Sequence, residues 1–213
     1  MCNLYALTTN QSAMRLMLRA VRDELGNFPP RPAIYPDQTA PILRLGNDGA
    51  PELVLARWGM PSPAFALRGK AADRGITNIR NTASPHWRPY LAQRCLVPFD
   101  AFAEPGPNGP VWFTLGAARP LACFAGLWTH WRGVRKVKEG EVATSLFGFL
   151  TTEPNREVAA IHPKAMPVIL ATTDAQTTWL EAPWPEAAGL QRKLPDCTLR
   201  TGIENDHPGG LNV

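Results

Sequence analysis

Arg94-Cys95-Leu96-Val97-Pro98-Phe99, followed by Asp100-Ala101-Phe102-Ala103-Glu104, is the stretch from which the architecture is read. Its apolar run, closed by an aspartate, predicts a strand over Arg94–Phe99. Strands are predicted on both sides of it. Downstream they fall over 111–115, 121–128 and 144–152; a basic loop at 132–138 precedes the last, which is apolar enough to be buried. Upstream, 42–45 and 53–58 flank Asn47-Asp48-Gly49, a hairpin signal, and 4–7 is a short apolar strand. Helices punctuate this pattern. Thr9 or Asn10 caps one over 11–25, with Met14, Met17, Leu18, Val21 and Leu25 as its apolar face and Gly26 as its stop. A second runs over 153–161 and breaks at His162-Pro163, ahead of a strand at 166–171. Thr173 or Asp174 caps a third, to about 181, carrying Trp179 and Leu180. Residues 27–41 read as a proline-rich loop, and 62–93 as irregular with a short helix near 88–93.

The 22 prolines are spread along the chain, which favours turns and short strands over a disordered tract. No repeat and no linker interrupts the 213 residues, so one domain is expected, with a polar tail beyond 183 that frays near its end. There is no basic region followed by an apolar run at the start, and no apolar stretch long enough to span a bilayer. The four cysteines form no CxxC pair and the four histidines lack ligand spacing. Neither a zinc site, another metal or cofactor, nor a disulfide framework is predicted, and the expected compartment is a reducing cytoplasm.

The net charge of +4 matters less than its placement. Between residues 53 and 99 the only acid is Asp73, against Arg57, Arg68, Lys70, Arg74, Arg80, Arg88 and Arg94, interleaved with Trp58, Trp87 and Tyr90. Cations for phosphates and rings for bases suit a single-stranded nucleic acid; the competing reading is a solvated face over core aromatics.

Chemistry concentrates at Met1-Cys2. A small second residue permits removal of the methionine, which would leave an amine and a thiol on adjacent carbons. The two titrate near ~8 and ~8.5, so both are reactive near neutrality. An aldehyde can form an imine with the nitrogen, after which sulfur closes a five-membered thiazolidine; alternatively the thiolate alone attacks a carbonyl. The plain alternative is a small buried hydrophobe. Other candidates stand apart in sequence. Asn78 can hydrogen-bond an amine or oxyanion, or simply form a turn. Arg80 can fork onto a phosphate. Glu104, among Phe99, Phe102, Ala103 and Pro105, can have a raised pKa suited to acid–base work, or be a surface glutamate. His162 lies at a helix end. Trp58, before Gly59-Met60-Pro61, either lines a groove or plugs the core.

Four stretches together resemble the SOS response-associated peptidase (SRAP) family, whose members shield abasic sites in single-stranded DNA. They are Met1-Cys2; Trp58-Gly59-Met60-Pro61; Asn78-Ile79-Arg80 ahead of Arg94-Cys95-Leu96-Val97-Pro98; and His162 ahead of Met166-Pro167. The resemblance implies an α+β fold of mostly antiparallel strands curled into a barrel-like sheet with a few flanking helices, in a monomer. It implies a covalent crosslink from Cys2 to an abasic deoxyribose in the DNA-damage response, with self-reversal and weak lyase activity. By position Cys2 is the nucleophile and Asn78 orients its amine and thiol. Glu104 is the general acid/base, and His162 assists sugar ring-opening and reversal. Arg80, with Trp58, Lys164 and Arg88, is assigned to DNA binding. The chain departs from the family at Cys2-Asn3-Leu4, where Cys-Gly-Arg is usual, at Pro105, where an aromatic is usual, and at Lys164-Ala165, where an arginine is common. These departures touch DNA binding more than chemistry. Two rivals remain: a cysteine peptidase or amidohydrolase using Cys2, with its own N-terminal residues among the bonds it could cleave, and a non-catalytic nucleic-acid binder.

Overall fold

The computed structural model describes residues 2–201. After Cys2 the chain enters strand β1 (Leu4–Leu7), helix α1 (Gln11–Met17), and the short strands β2 (Arg22–Asp23) and β3 (Arg31–Ile34). The hairpin of β4 (Thr39–Leu45) and β5 (Pro51–Trp58) follows, turning at Asn47-Asp48-Gly49 with Leu45 paired to Pro51. Helix α2 (Ala64–Leu67) and the two-residue strand β6 (Asn78–Ile79) lie in the segment predicted as irregular, with a single 3-10 turn at Arg88–Tyr90. Five consecutive strands follow: β7 (Arg94–Phe99), β8 (Ala101–Gly106), β9 (Gly109–Leu115), β10 (Ala122–Val134) and β11 (Glu141–Thr152). The remainder is α3 (Arg156–Ala159), β12 (Met166–Pro167), β13 (Ile169–Leu170), α4 (Thr173–Glu181), α5 (Trp184–Ala187) and β14 (Leu199–Thr201).

The α+β architecture has two layers. In the larger sheet the strand order β11-β10-β7-β4-β5 closes on itself, because β5 also pairs in parallel with β11 through Arg57↔Leu146 and Trp58↔Phe147. Closure removes the sheet edges that would otherwise invite pairing with other chains. The second sheet has the order β14-β9-β8-β1-β3, all antiparallel. A single residue, Asp100, separates β7 in the barrel from β8 in the second sheet. Its carboxylate accepts from Thr8 Oγ1 at 2.8 Å, from Thr9 N at 2.9 Å and from Thr9 Oγ1 at 2.6 Å, as well as from Thr8 N. This buried anchor makes the corner and binds the end of β1 to it. The adjacent register Leu4↔Ala103 brings the start of the chain beside Glu104.

Between the layers lies one continuous apolar core. Phe99 and Phe124 stack with centroids 3.8 Å apart, Phe102 stacks on Phe113 at 5.1 Å, and Tyr5 meets Trp58 edge-on at 5.2 Å. Each such aromatic pair adds about 0.5–1.5 kcal/mol beyond its buried area.

Several local expectations change. The helix predicted over 11–25 ends at Met17, because Arg19 takes a left-handed backbone (φ 53°) and Arg22–Asp23 then pairs with β5. Met14, Leu18 and Leu25 are buried, whereas Met17 and Val21 are 49% and 62% exposed, so the periodic face was only partly a core face. Asn10 is the cap, accepting from Ala13 N. The helix predicted over 153–161 shrinks to Arg156–Ala159 behind an Asn155 cap, and α4 is capped by Thr172 rather than Thr173 or Asp174. The basic loop at 132–138 is partly strand: β10 runs on to Val134, which pairs with Glu141. The polar stretch after 183 contains α5 and β14, and β14 joins β9. The expected fraying of the tail falls on residues 202–213, outside those described. Among the described residues no helix is long and apolar enough to cross a membrane.

Candidate functional site

Cys2 lies two residues before the first residue of β1 and is 1% exposed. Its thiol contacts Leu4 O at 3.5 Å. Burial pushes the thiol far above its ordinary pKa and the Glu104 carboxylate pushes it further, while hydrogen bonds with the Leu4 and Ala103 backbones work against both. Cys2 is therefore a protonated thiol at neutral pH in this environment.

Asn78 arrives from 76 residues away. β6 adds to β11 in parallel, with Asn78↔Phe149 and Ile79↔Leu150. Gly148 makes the approach possible: a Cβ there would lie 3.1 Å from Ile76 O and 3.3 Å from Thr77 O. The buried Asn78 Nδ2 has three acceptors in reach of its two hydrogens: Thr77 Oγ1 at 2.8 Å, Cys2 O at 3.0 Å and Asn3 Oδ1 at 3.3 Å. The start of the chain is thus tied to the barrel by a side-chain amide.

Glu104 lies on β8 opposite Val111 and is 1% exposed. Burial raises its pKa, and the His162 imidazole acts in the opposite sense. His162 follows α3, its amide donating to Val158 O at 2.7 Å before Pro163 ends the turn. Its Nδ1 donates to Ala165 O at 2.9 Å and lies 3.8 Å from Glu104 Oε2. Because a carbonyl only accepts, Nδ1 carries the hydrogen and Nε2 is the basic nitrogen of the neutral ring. Cys2, Asn78, Glu104 and His162, scattered over 161 positions, therefore form one linked cluster around the start of β1.

Beside it a groove of about 460 Å³ is lined by Asn3, Leu4, Tyr35, Pro36, Glu104 and Pro105, among others. Leu4 and Pro105, two of the residues that depart from the family pattern, are on its wall. Of the residues assigned to DNA, Arg80, Arg88 and Lys164 are exposed. Arg80 directly follows β6, and its carbonyl accepts from Gln191 Nε2 at 2.8 Å.

Trp58, expected either to line a groove or to plug the core, plugs the core. Its ring is fully buried against Tyr5, Phe147 and Phe149, and Nε1 donates to Thr77 O at 3.2 Å. The glycine and proline after it turn the backbone without exposing the indole. Two of the seven cations in the basic span are likewise structural. Arg57 is held by Asp37 at 2.6 Å and Glu139 at 2.8 Å. Arg94 caps α4 by donating to the carbonyls of Trp179, Leu180 and Ala182. Arg68, Lys70, Arg74, Arg80 and Arg88 are exposed. Thr77 and Asn3, which sequence reasoning did not single out, bond directly to Asn78; a threonine before an asparagine carries no recognisable signal in one sequence.

Comparison with known proteins bears on the family and the fold. No curated protein sequence matches the chain. A structure of a protein from Bordetella bronchiseptica is 25% identical, with a TM-score of 0.74 over 94% of this chain and 98% of that one. A Bacteroides thetaiotaomicron protein (18% identical, TM-score 0.73, 96% and 93% covered) shares the fold. So does a phage-related protein of Bordetella bronchiseptica (20% identical, TM-score 0.67, 96% and 95% covered). The sequence profile of one family, described as SOS response associated peptidase, matches residues 1–201, essentially the whole described chain. With Cys2, Asn78, Glu104 and His162 gathered at the head of β1, the chain belongs to the SOS response associated peptidase (SRAP) family.

Proposed function

We propose that the chain processes abasic sites in single-stranded DNA by forming a thiazolidine crosslink through Cys2 after Met1 is removed. The observation that carries this reading is the Asn78 Nδ2–Cys2 O bond of 3.0 Å, in a cluster that also holds Glu104 and His162. It fixes the residue that would bear the free amine beside a buried acid and an imidazole.

Abasic deoxyribose is mostly a closed hemiacetal, so the aldehyde must first be exposed. Protonation of the ring oxygen by His162 or Glu104 breaks the C1′–O bond as the C1′ hydroxyl loses its proton. The Cys2 amine then adds to C1′, and Glu104 protonates the departing hydroxyl so that water leaves and an imine remains. A carboxyl whose pKa is raised by burial is suited to delivering that proton. The thiol adds across the C=N bond: sulfur bonds to C1′ and its proton passes to nitrogen, closing the ring. The net change is aldehyde plus aminothiol to thiazolidine plus water. A thiol held protonated by burial suits this order, in which nitrogen attacks first. Loss of a C2′ proton from the imine, with departure of the 3′-phosphate, accounts for weak lyase activity. Arg80, Arg88 and Lys164 hold phosphates of the strand.

The peptidase reading requires a thiolate to attack an amide, and burial together with Glu104 opposes that ionisation. The test is intact-mass spectrometry of Met1-free protein with single-stranded DNA bearing an abasic site. An adduct lighter than the sum of its parts by one water, absent in Cys2→Ala, is expected. A processed chain that forms no adduct, or cleavage of a peptide by that chain through Cys2, would overturn the proposal.

A further inference from the structure

The Asn78 amide is held in one orientation by a directional chain of hydrogen bonds. Nδ2 faces three oxygens: Thr77 Oγ1 at 2.8 Å, Cys2 O at 3.0 Å and Asn3 Oδ1 at 3.3 Å. Thr77 Oγ1 accepts from Nδ2, so its own proton is directed to Asn3 Oδ1, 3.2 Å away. Turning the amide over would set Oδ1 against the Cys2 carbonyl, which cannot donate. Asn78 Oδ1 is consequently kept on the other side, buried, with no hydrogen-bond partner among the described residues. A buried acceptor without a donor is unfavourable and calls for one. The head of the chain, which Nδ2 already grips by its carbonyl, gains donor hydrogens that can turn toward Oδ1 once its nitrogen is a free amine rather than an amide with one fixed N–H. Asn3 contributes to this chain at a position where glycine is usual in the family.

We propose that Thr77 and Asn3 are positioning residues that lock the Asn78 amide, so that Nδ2 holds the Cys2 carbonyl and Oδ1 accepts from the Cys2 amine. The inference rests on the crosslinking function above. Thr77 and Asn3 touch no reacting atom; they act through Asn78. The lock selects the amine's direction of approach and has little to do with holding the DNA.

The test uses the Met1-free full chain and three measurements: single-turnover crosslinking at saturating abasic strand, affinity for a strand carrying the unreactive tetrahydrofuran analogue, and thermal unfolding. Thr77→Val is expected to slow crosslinking about fivefold, the loss of roughly one net hydrogen bond, with affinity and unfolding temperature unchanged. Thr77→Ser, which keeps the hydroxyl, restores the rate. Asn3→Ala, at an exposed position, slows it in the same sense. On an Asn78→Ala background, Thr77→Val has no further effect, because its route to the reaction is gone. The lock is also read without DNA: the Asn78 Nδ2 protons exchange faster with solvent in Thr77→Val than in wild type or Thr77→Ser, by NMR. Equal rates in wild type and Thr77→Val, or an equal slowing with and without Asn78, would overturn the lock. A wild-type chain with slow Asn78 exchange that forms no adduct would overturn the crosslinking function and leave the amide orientation standing.

Discussion

Replacing Glu104 with glutamine tests the acid–base role and the electrostatics of the site at once. The carboxyl is 1% exposed, with His162 Nδ1 3.8 Å from Oε2. At that separation a full charge on the imidazole would attract the carboxylate by about 4 kcal/mol at an effective dielectric of 20, and a neutral ring attracts it far less. Removing a carboxylate from water costs several kcal/mol, and here that cost prevails: the pKa of Glu104 is raised despite the imidazole. An acid whose folded pKa exceeds its unfolded value favours the native state below the unfolded value. It loses that advantage as pH climbs through the folded one. Wild type therefore sheds stability across this window, and Glu104→Gln, which keeps the shape and does not titrate, does not. The variant should unfold at a higher temperature than wild type above the window, with the gap closing toward acid pH. Crosslinking should meanwhile fall by about 10²–10⁴-fold, the usual contribution of a positioned acid or base. The assays are thermal unfolding between about pH 4 and pH 8, bracketing the ordinary carboxylate range, and single-turnover crosslinking at one pH. A wild type whose stability relative to the variant rises with pH would show that pairing outweighs burial. A variant that crosslinks at the wild-type rate would remove Glu104 from the proton path.

Trp58→Phe is expected to cost roughly 2 kcal/mol in chemical denaturation, from lost indole packing and the unmade bond to Thr77 O. Strand affinity of the folded variant should be unchanged; weakened affinity at full stability would return the indole to a DNA-contacting role. Replacing Arg80, Arg88 or Lys164 singly by alanine should weaken binding to any single strand and flatten the log K against log salt slope by ~0.7 each. A slope that does not move would exclude that side chain from phosphate contact. Gly148→Ala should leave the barrel folded but press the new methyl on Ile76 O and Thr77 O, shifting Asn78 and slowing crosslinking. An unchanged rate would mean that β6 tolerates displacement.

Some local signals were read correctly, and others, such as the ends of the helices, were not. The Asn47-Asp48-Gly49 hairpin and the strand over Arg94–Phe99 each depend on neighbours within a few residues, and each is present; the helix expected to run to His162-Pro163 instead ends at Ala159. The ordered set of short motifs identified the family without any contact information. Other features depend on residues far away in sequence. β6 is two residues long and carries no strand signal of its own; it exists because β11, some 70 residues later, offers an edge and a glycine. Arg57 reads as one more cation until Asp37 and Glu139 enclose it, and Arg94 until the end of α4 arrives. Trp58 was open to either fate, and the parallel closure of β5 on β11 decided for the core. The sequence by itself determined which groups can react and the rhythm of the strands, because those are properties of residues and near neighbours. Only the tertiary structure decided which cations face solvent, which carboxyl loses its water, and which amide grips Cys2, because burial and pairing are set by parts of the chain that meet only on folding.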